Sequence, residues 1–181
     1  VAEFGFEKVG RLLWLETLSI QNGRPKIVLH EIDARHGSIH APVTDLDGDG
    51  DLDVIALISQ EHETIVAFLN NGHGVFERRT LFQADSPSFG SSGMELVDLD
   101  SDGDLDWFIT NITTPPSGGP FGGWNRLYRN EGNRTFTDVT QAAGVRDSRW
   151  SWGTTFFDYD NDGDMDLSAT NGYNGPGWID D

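Results

Sequence analysis

Cysteine is absent from this chain of 181 residues. No disulfide can staple it and no thiolate can hold a soft metal, although the lack of cysteine neither demands nor forbids secretion. Basic residues are scarce: 12 Lys and Arg stand against 30 Asp and Glu, for a formal net charge of −18. That balance argues against nucleic acid as a partner, because phosphate binding needs a basic face. No apolar run approaches the ~18 residues of a membrane-spanning helix. The opening residues, Val1–Phe6, have neither the basic segment nor the apolar core of a signal peptide. Helical periodicity is missing as well. Instead, 22 glycines and many Asn/Asp turns punctuate short apolar runs, which predicts an all-β fold. The length leaves room for one ordinary domain.

The acidic residues are not spread evenly. Asp45-Leu-Asp-Gly-Asp-Gly-Asp-Leu-Asp53 recurs as Asp98-Leu-Asp-Ser-Asp-Gly-Asp-Leu-Asp106 and as Asp158-Tyr-Asp-Asn-Asp-Gly-Asp-Met-Asp166. Each copy runs straight into an apolar stretch: Val54–Ile58, Trp107–Ile109 and Leu167–Ala169. Five carboxylates within nine residues repel one another and cannot be buried bare. Aspartates at loop positions 1, 3 and 5 (Asp45, Asp47, Asp49; Asp98, Asp100, Asp102; Asp158, Asp160, Asp162) put carboxylates on the inside of a tight turn. Glycine at position 6 (Gly50, Gly103, Gly163) permits the bend. Position 7 (Asp51, Asp104, Asp164) would offer its backbone carbonyl, and position 9 (Asp53, Asp106, Asp166) closes the cage. Hard oxygen ligands in a flexible loop suit Ca2+ better than Mg2+, which prefers to keep its waters. Three sites are expected, and three bound ions would bring the formal charge to about −12.

An EF-hand would need a bidentate Glu at position 12 and flanking helices. Position 12 is Ala56, Ile109 and Ala169, and β-branched or aromatic residues follow each loop, so the loops are expected between strands. An acidic surface turn without metal would account for one copy. It accounts poorly for three that share the same glycine and the same closing aspartate.

The loops start at 45, 98 and 158, a spacing of 53 and then 60 residues, which suits a four-stranded propeller blade. In the first full unit (38–91) the expected strands are 38–44, 54–59, 64–69 and 75–82, with a turn at 70–74. In the second (92–150) they are 94–97, 107–112, 124–129 and 135–139, with a turn at 130–133. Residues 1–37 read as a partial blade with strands at 2–6, 11–15 and 26–30, and 151–181 as another with strands at 154–157 and 167–170. The expectation is thus a β-propeller, or an arc of one, with each calcium loop between the first two strands of a blade. A ring needs at least four blades, so further chain or association of copies would have to close it, since an open arc leaves raw sheet edges.

The motif D-x-D-x-D-G-x-x-D resembles that of the FG-GAP/VCBS repeat family, best known from the β-propeller heads of integrin α subunits. Leu127-Tyr-Arg-Asn-Glu-Gly-Asn133, Thr135-Phe-Thr-Asp-Val-Thr140 and Trp152-Gly-Thr-Thr-Phe-Phe-Asp-Tyr-Asp160 resemble stretches of cartilage acidic protein and its bacterial relatives. The match covers residues 38–172 by motif and 1–37 by period only. The resemblance implies structural calcium in each loop and ligand binding on another surface of the propeller. A clear Phe-Gly…Gly-Ala-Pro element is lacking, so integrin-like recognition is not implied.

Other residues have plainer readings. Glu61-His62-Glu63 fits a polar turn between strands; His36 and His40 flank a strand start with no nucleophile motif nearby. The Pro/Gly loop 113–123 with Trp124 is a candidate ligand-contacting edge or a tolerated insertion. Trp150 and Trp152 could stack on sugars but suit packing between blades. Asn111 and Asn133 begin short glycosylation sequons. No catalytic residue is expected. The reading is a secreted, extracellular or periplasmic calcium-binding module for protein recognition, adhesion or scaffolding. The alternatives are a lectin-like glycan binder and, last, a module of a polysaccharide-degrading enzyme.

Overall fold

The computed structural model describes residues 10–35, 37–59, 63–84, 91–112, 124–132, 135–148 and 151–172. Every regular element among them is a β-strand, and no described helix is long and apolar enough to cross a membrane. The chain divides into two compact units, Val1–Asp85 and Ser86–Asp181.

The first unit opens with an antiparallel hairpin of β1 (Leu12–Gln21) and β2 (Arg24–Asp33). A sheet follows, built from β3 (Ser38–His40), β4 (Val43–Thr44), β5 (Asp53–Ile58), β6 (Thr64–Asn70) and β7 (Phe76–Gln83). The strand expected at 38–44 is broken in two. Both pieces pair with β5. Between them lies Pro42, which has no N–H to give the ladder; its carbonyl still accepts the Ile55 N–H at 3.0 Å. Counting β3 and β4 as one interrupted strand, the sheet is the four-stranded meander the repeat predicts. The hairpin packs on it through Leu12, beside Ala56, Val66 and Phe68, with Ile32 and Phe76 at the margin. The hairpin strands run longer than the expected 11–15 and 26–30, and the strand expected at 2–6 lies outside the described residues.

The second unit holds β8 (Ser91–Val97), β9 (Asp106–Asn111), β10 (Arg126–Asn130) and β11 (Phe136–Asp138) in the order β11-β10-β9-β8, then a hairpin of β12 (Ser151–Phe157) and β13 (Asp166–Asn171). All six residues of β9 are buried. A strand covered on both faces loses the alternation of a half-buried one, hence the run Trp107-Phe-Ile109. Trp107 is 1 % exposed and stacks on Phe136 across the sheet, ring centroids 3.9 Å apart.

The hairpin lies against the β8 side of this sheet. The Ser92 hydroxyl donates to the Ser151 carbonyl at 2.5 Å, the Thr110 hydroxyl reaches the Trp152 carbonyl at 3.2 Å, and Phe108 meets Phe156 edge to face. A methyl group on Gly93 would sit 2.7 Å from the Trp152 carbonyl oxygen, so only glycine lets these backbones come so close.

Candidate metal centres

Each aspartate loop joins two antiparallel strands: residues 45–52 between β4 and β5, 98–105 between β8 and β9, and 158–165 between β12 and β13. The three follow the same backbone path. Position 6 has φ of +92° at Gly50, +93° at Gly103 and +94° at Gly163, which an L side chain tolerates poorly. Position 4 is also left-handed, at Gly48 (+76°), Ser101 (+61°) and Asn161 (+61°). Short polar side chains bear that conformation better than most.

Within this path the first aspartate organises the turn. Asp45 accepts the Gly48 and Gly50 N–H groups at 2.9 and 3.0 Å. Asp98 accepts those of Asp102 and Gly103, both at 3.1 Å, and Asp158 those of Asp162 and Gly163 at 3.2 and 3.1 Å. The fifth-position carboxylates, Asp49, Asp102 and Asp162, each accept the N–H two residues on at 2.9 Å. Carboxylate oxygens then converge. Those of Asp45, Asp47 and Asp53 lie within 4.8 Å of one another, as do those of Asp98, Asp100 and Asp102, and those of Asp158, Asp160 and Asp166. Three groups are thus placed to hold a metal ion, each made wholly of carboxylate oxygen.

The position-7 side chains do not join these groups. A methyl on Gly72 would lie 2.6 Å from Asp51 Oδ2, and one on Gly132 would lie 3.1 Å from Asp104 Oδ2. These carboxylates therefore rest against the turn that follows the third strand of the same sheet. The closing aspartates are split by environment. Asp53 and Asp106 are fully buried, whereas Asp166 is exposed. Asp53 accepts the Leu46 N–H at 2.9 Å and the Asn70 N–H at 2.7 Å; Asp106 accepts those of Leu99 and Asn130 at the same two distances. Asp166 accepts the Tyr159 N–H at 2.8 Å.

Electrostatics follow from the crowding. The Asp106 carboxyl lies above the usual carboxylate range, chiefly through burial, opposed by the Asn130 and Leu99 N–H groups and reinforced by the charges of Asp100 and Asp102. Asp47 is raised too, by desolvation first and then by Asp49 and Asp53. A carboxyl whose folded value exceeds its unfolded value costs the metal-free fold stability while ionised. Relief comes as pH falls through the folded value. A cation needs the ionised form, so protons compete with it. Calcium affinity should therefore be lower at an acidic than at a neutral pH, while the metal-free protein gains stability from these two groups as the pH falls through their raised folded values. Titrations and melts at the two pH values check both signs. Arg129 brings a cation close to the second loop: its Nε is 3.9 Å from Asp100 Oδ2, and it also pairs with Glu131 at 2.7 Å.

Several residues weighed in the sequence fall elsewhere. Asn111 is 1 % exposed, so its sequon is closed to a glycosyl donor. Glu63 is buried, and its carbonyl accepts the Ala84 N–H at 2.8 Å. Trp124 carries the Arg146 guanidinium 4.1 Å above its ring, and Trp152 is 51 % exposed. His36, Glu61, His62, residues 113–123, Asn133 and Trp150 lie outside the described residues. Sequence reasoning took Asn70 and Asn130 for turn residues only. The signal that would have found them is their shared place at the end of the third strand, two residues before a glycine of the turn (Gly72, Gly132).

No curated protein matches the chain. The family model for the FG-GAP-like repeat matches residues 45–109, which carry the first two aspartate loops, and again 112–168, which carry the third. With two repeats over most of its length, and with the aspartate loops between paired strands, the chain belongs to the FG-GAP-like repeat family.

Proposed function

We propose that the chain is a calcium-binding β-propeller module, or an arc of one, acting outside the cytosol in protein recognition, adhesion or scaffolding, with calcium in a structural role. The observation that carries this reading is the threefold repetition of one loop path with converging carboxylates. The donor chemistry suits the ion. All the side-chain donors are hard oxygens, and a flexible loop can offer the six to eight ligands that Ca2+ takes. Asp45, Asp47 and Asp53 would hold the first ion, Asp98, Asp100 and Asp102 the second, and Asp158, Asp160 and Asp166 the third, with Asp49, Asp106 and Asp162 completing the respective shells and Asp51, Asp104 and Asp164 giving backbone carbonyls. When bound, the ion supplies positive charge that offsets the repulsion among aspartates. The residues themselves fix the loop and hold its two strands in register.

Calcium titration by calorimetry tests the reading directly. Three equivalents are expected, falling to two in Asp100→Ala; a flat heat trace in the wild type would overturn it. Sites of such weak modules often need calcium up to roughly millimolar, which favours an extracellular or periplasmic setting. A glycan-binding role is the second reading, favoured by the half-exposed Trp152 indole, which could stack on a sugar face. Retention on a glycan array in calcium, lost in Trp152→Ala, would select it over protein recognition.

A further inference from the structure

We infer that Asn70 and Asn130 are positioning residues for the first two calcium loops, so that calcium affinity is set as much by the turn after the third strand as by the loop itself. The inference rests on the calcium reading above and adds residues outside the D-x-D-x-D-G-x-x-D motif. Each asparagine makes three kinds of contact. Its backbone N–H donates at 2.7 Å to the buried closing aspartate, Asp53 or Asp106. Its side-chain Nδ2 donates at 3.3 Å to the carbonyl just before that aspartate, of Leu52 or Leu105. Its Oδ1 accepts from its own turn: the Gly72 and Gly74 N–H groups at 3.2 Å in one case, the Gly132 N–H at 3.1 Å in the other.

The geometry is the same in two sheets whose turns differ in sequence, Asn-Asn-Gly-His-Gly against Asn-Glu-Gly-Asn-Arg. What is kept is the asparagine and the glycine two residues on. Those two are the residues the contacts require. The glycine has φ of +76° or +72° and leaves room for the position-7 carboxylate. The asparagine fixes the carbonyl beside the closing aspartate and orients the N–H that occupies one of its oxygens. With the Leu46 or Leu99 N–H on the other oxygen, the aspartate is held at both oxygens before any ion arrives. Groups that orient metal ligands in this way typically govern affinity by about ten- to a hundredfold. Among the described residues nothing of this kind reaches Asp166.

The experiment is calcium titration of the whole chain carrying Asn130→Ala, with Asn70→Ala and the milder Asn130→Gln alongside. Asn130→Ala should weaken one of the three sites by roughly tenfold or more and leave the other two unchanged. Asn130→Gln, which keeps the amide but moves it by one methylene, should weaken the same site by less. Melting with and without calcium separates positioning from mere support of the fold. A positioning role shrinks the calcium-induced rise in Tm; a purely structural role lowers both melts equally and leaves all three affinities intact. Three wild-type sites with unchanged affinities in all the asparagine variants would overturn the inference while leaving the calcium reading standing. A wild type that takes up no calcium would sink both.

Discussion

Chelation with EDTA should lower the melting temperature by roughly 20 °C, the largest single effect expected of this protein. Each ion that binds only the folded form adds RT ln(1 + [L]/Kd), about 2.7 kcal/mol at a hundredfold excess over Kd. Three independent sites give about 8 kcal/mol, comparable to the whole stability of many domains. The effect has a second source, because emptying a loop restores the repulsion among five aspartates. Magnesium should restore little of the loss, since it holds its waters and fits a crowded carboxylate loop poorly. Differential scanning calorimetry in calcium, in EDTA and in EDTA with excess magnesium checks all three statements. Coincident melts in the first two would mean that the loops hold no ion of structural weight. The two compact units could also lose stability in separate steps, the second falling further because it holds two of the three loops.

Replacing Trp107 by alanine should cost about 3–5 kcal/mol, the usual range for emptying a buried aromatic site. Trp107 follows the closing aspartate of the second loop directly, is the largest fully buried side chain described, and stacks on Phe136. Trp107→Phe is the informative partner. The indole N–H is buried without an acceptor among the described residues, so phenylalanine removes an unpaired donor while keeping most of the ring. Its cost should be well below that of alanine, because the cavity left is smaller and removal of the unpaired donor offsets part of it. Urea unfolding of both variants in calcium gives the comparison. An equal loss in the two would show that the N–H is satisfied after all, by water for example.

How much of this was written in the residues depends on the range of the interaction. The loops were legible because their chemistry is local: alternating carboxylates and a glycine at fixed offsets specify a turn and its ligand class. Strands β5, β6 and β9 were legible within a residue or two, since apolar runs bounded by Asp and Asn announce buried strands. The break at Pro42 was less so; a seven-residue run suggested one strand, and only pairing with β5 shows where the missing N–H forces a gap. The asparagine contacts were illegible for a different reason. Asn70 lies 17 residues from Asp53 and Asn130 lies 24 from Asp106, and no local rule links positions so far apart. Nor could the loop sequences, nearly identical, reveal that Asp53 and Asp106 are buried while Asp166 is exposed.

The contacts of Asn70 and Asn130 stitch two connections together at one end of each sheet, and that has a bearing on where the repeat can change length. On the stitched rim, spans are constant: eight residues in each aspartate loop, and five in the turns 71–75 and 131–135. The opposite rim is tied differently: in the second sheet Asn125 Oδ1 accepts the Asn111 N–H at 3.2 Å and its Nδ2 donates to the Val145 carbonyl at 3.4 Å. There the link between the second and third strands grows from five residues (59–63) to fourteen (112–125). That growth exceeds the lengthening of the repeat spacing from 53 to 60 residues, and a third strand shorter by two takes up the difference. Between these two sheets the length difference thus falls on one edge of the blade, and it is that edge where grafted peptides or new loops should be accepted without disturbing the ions.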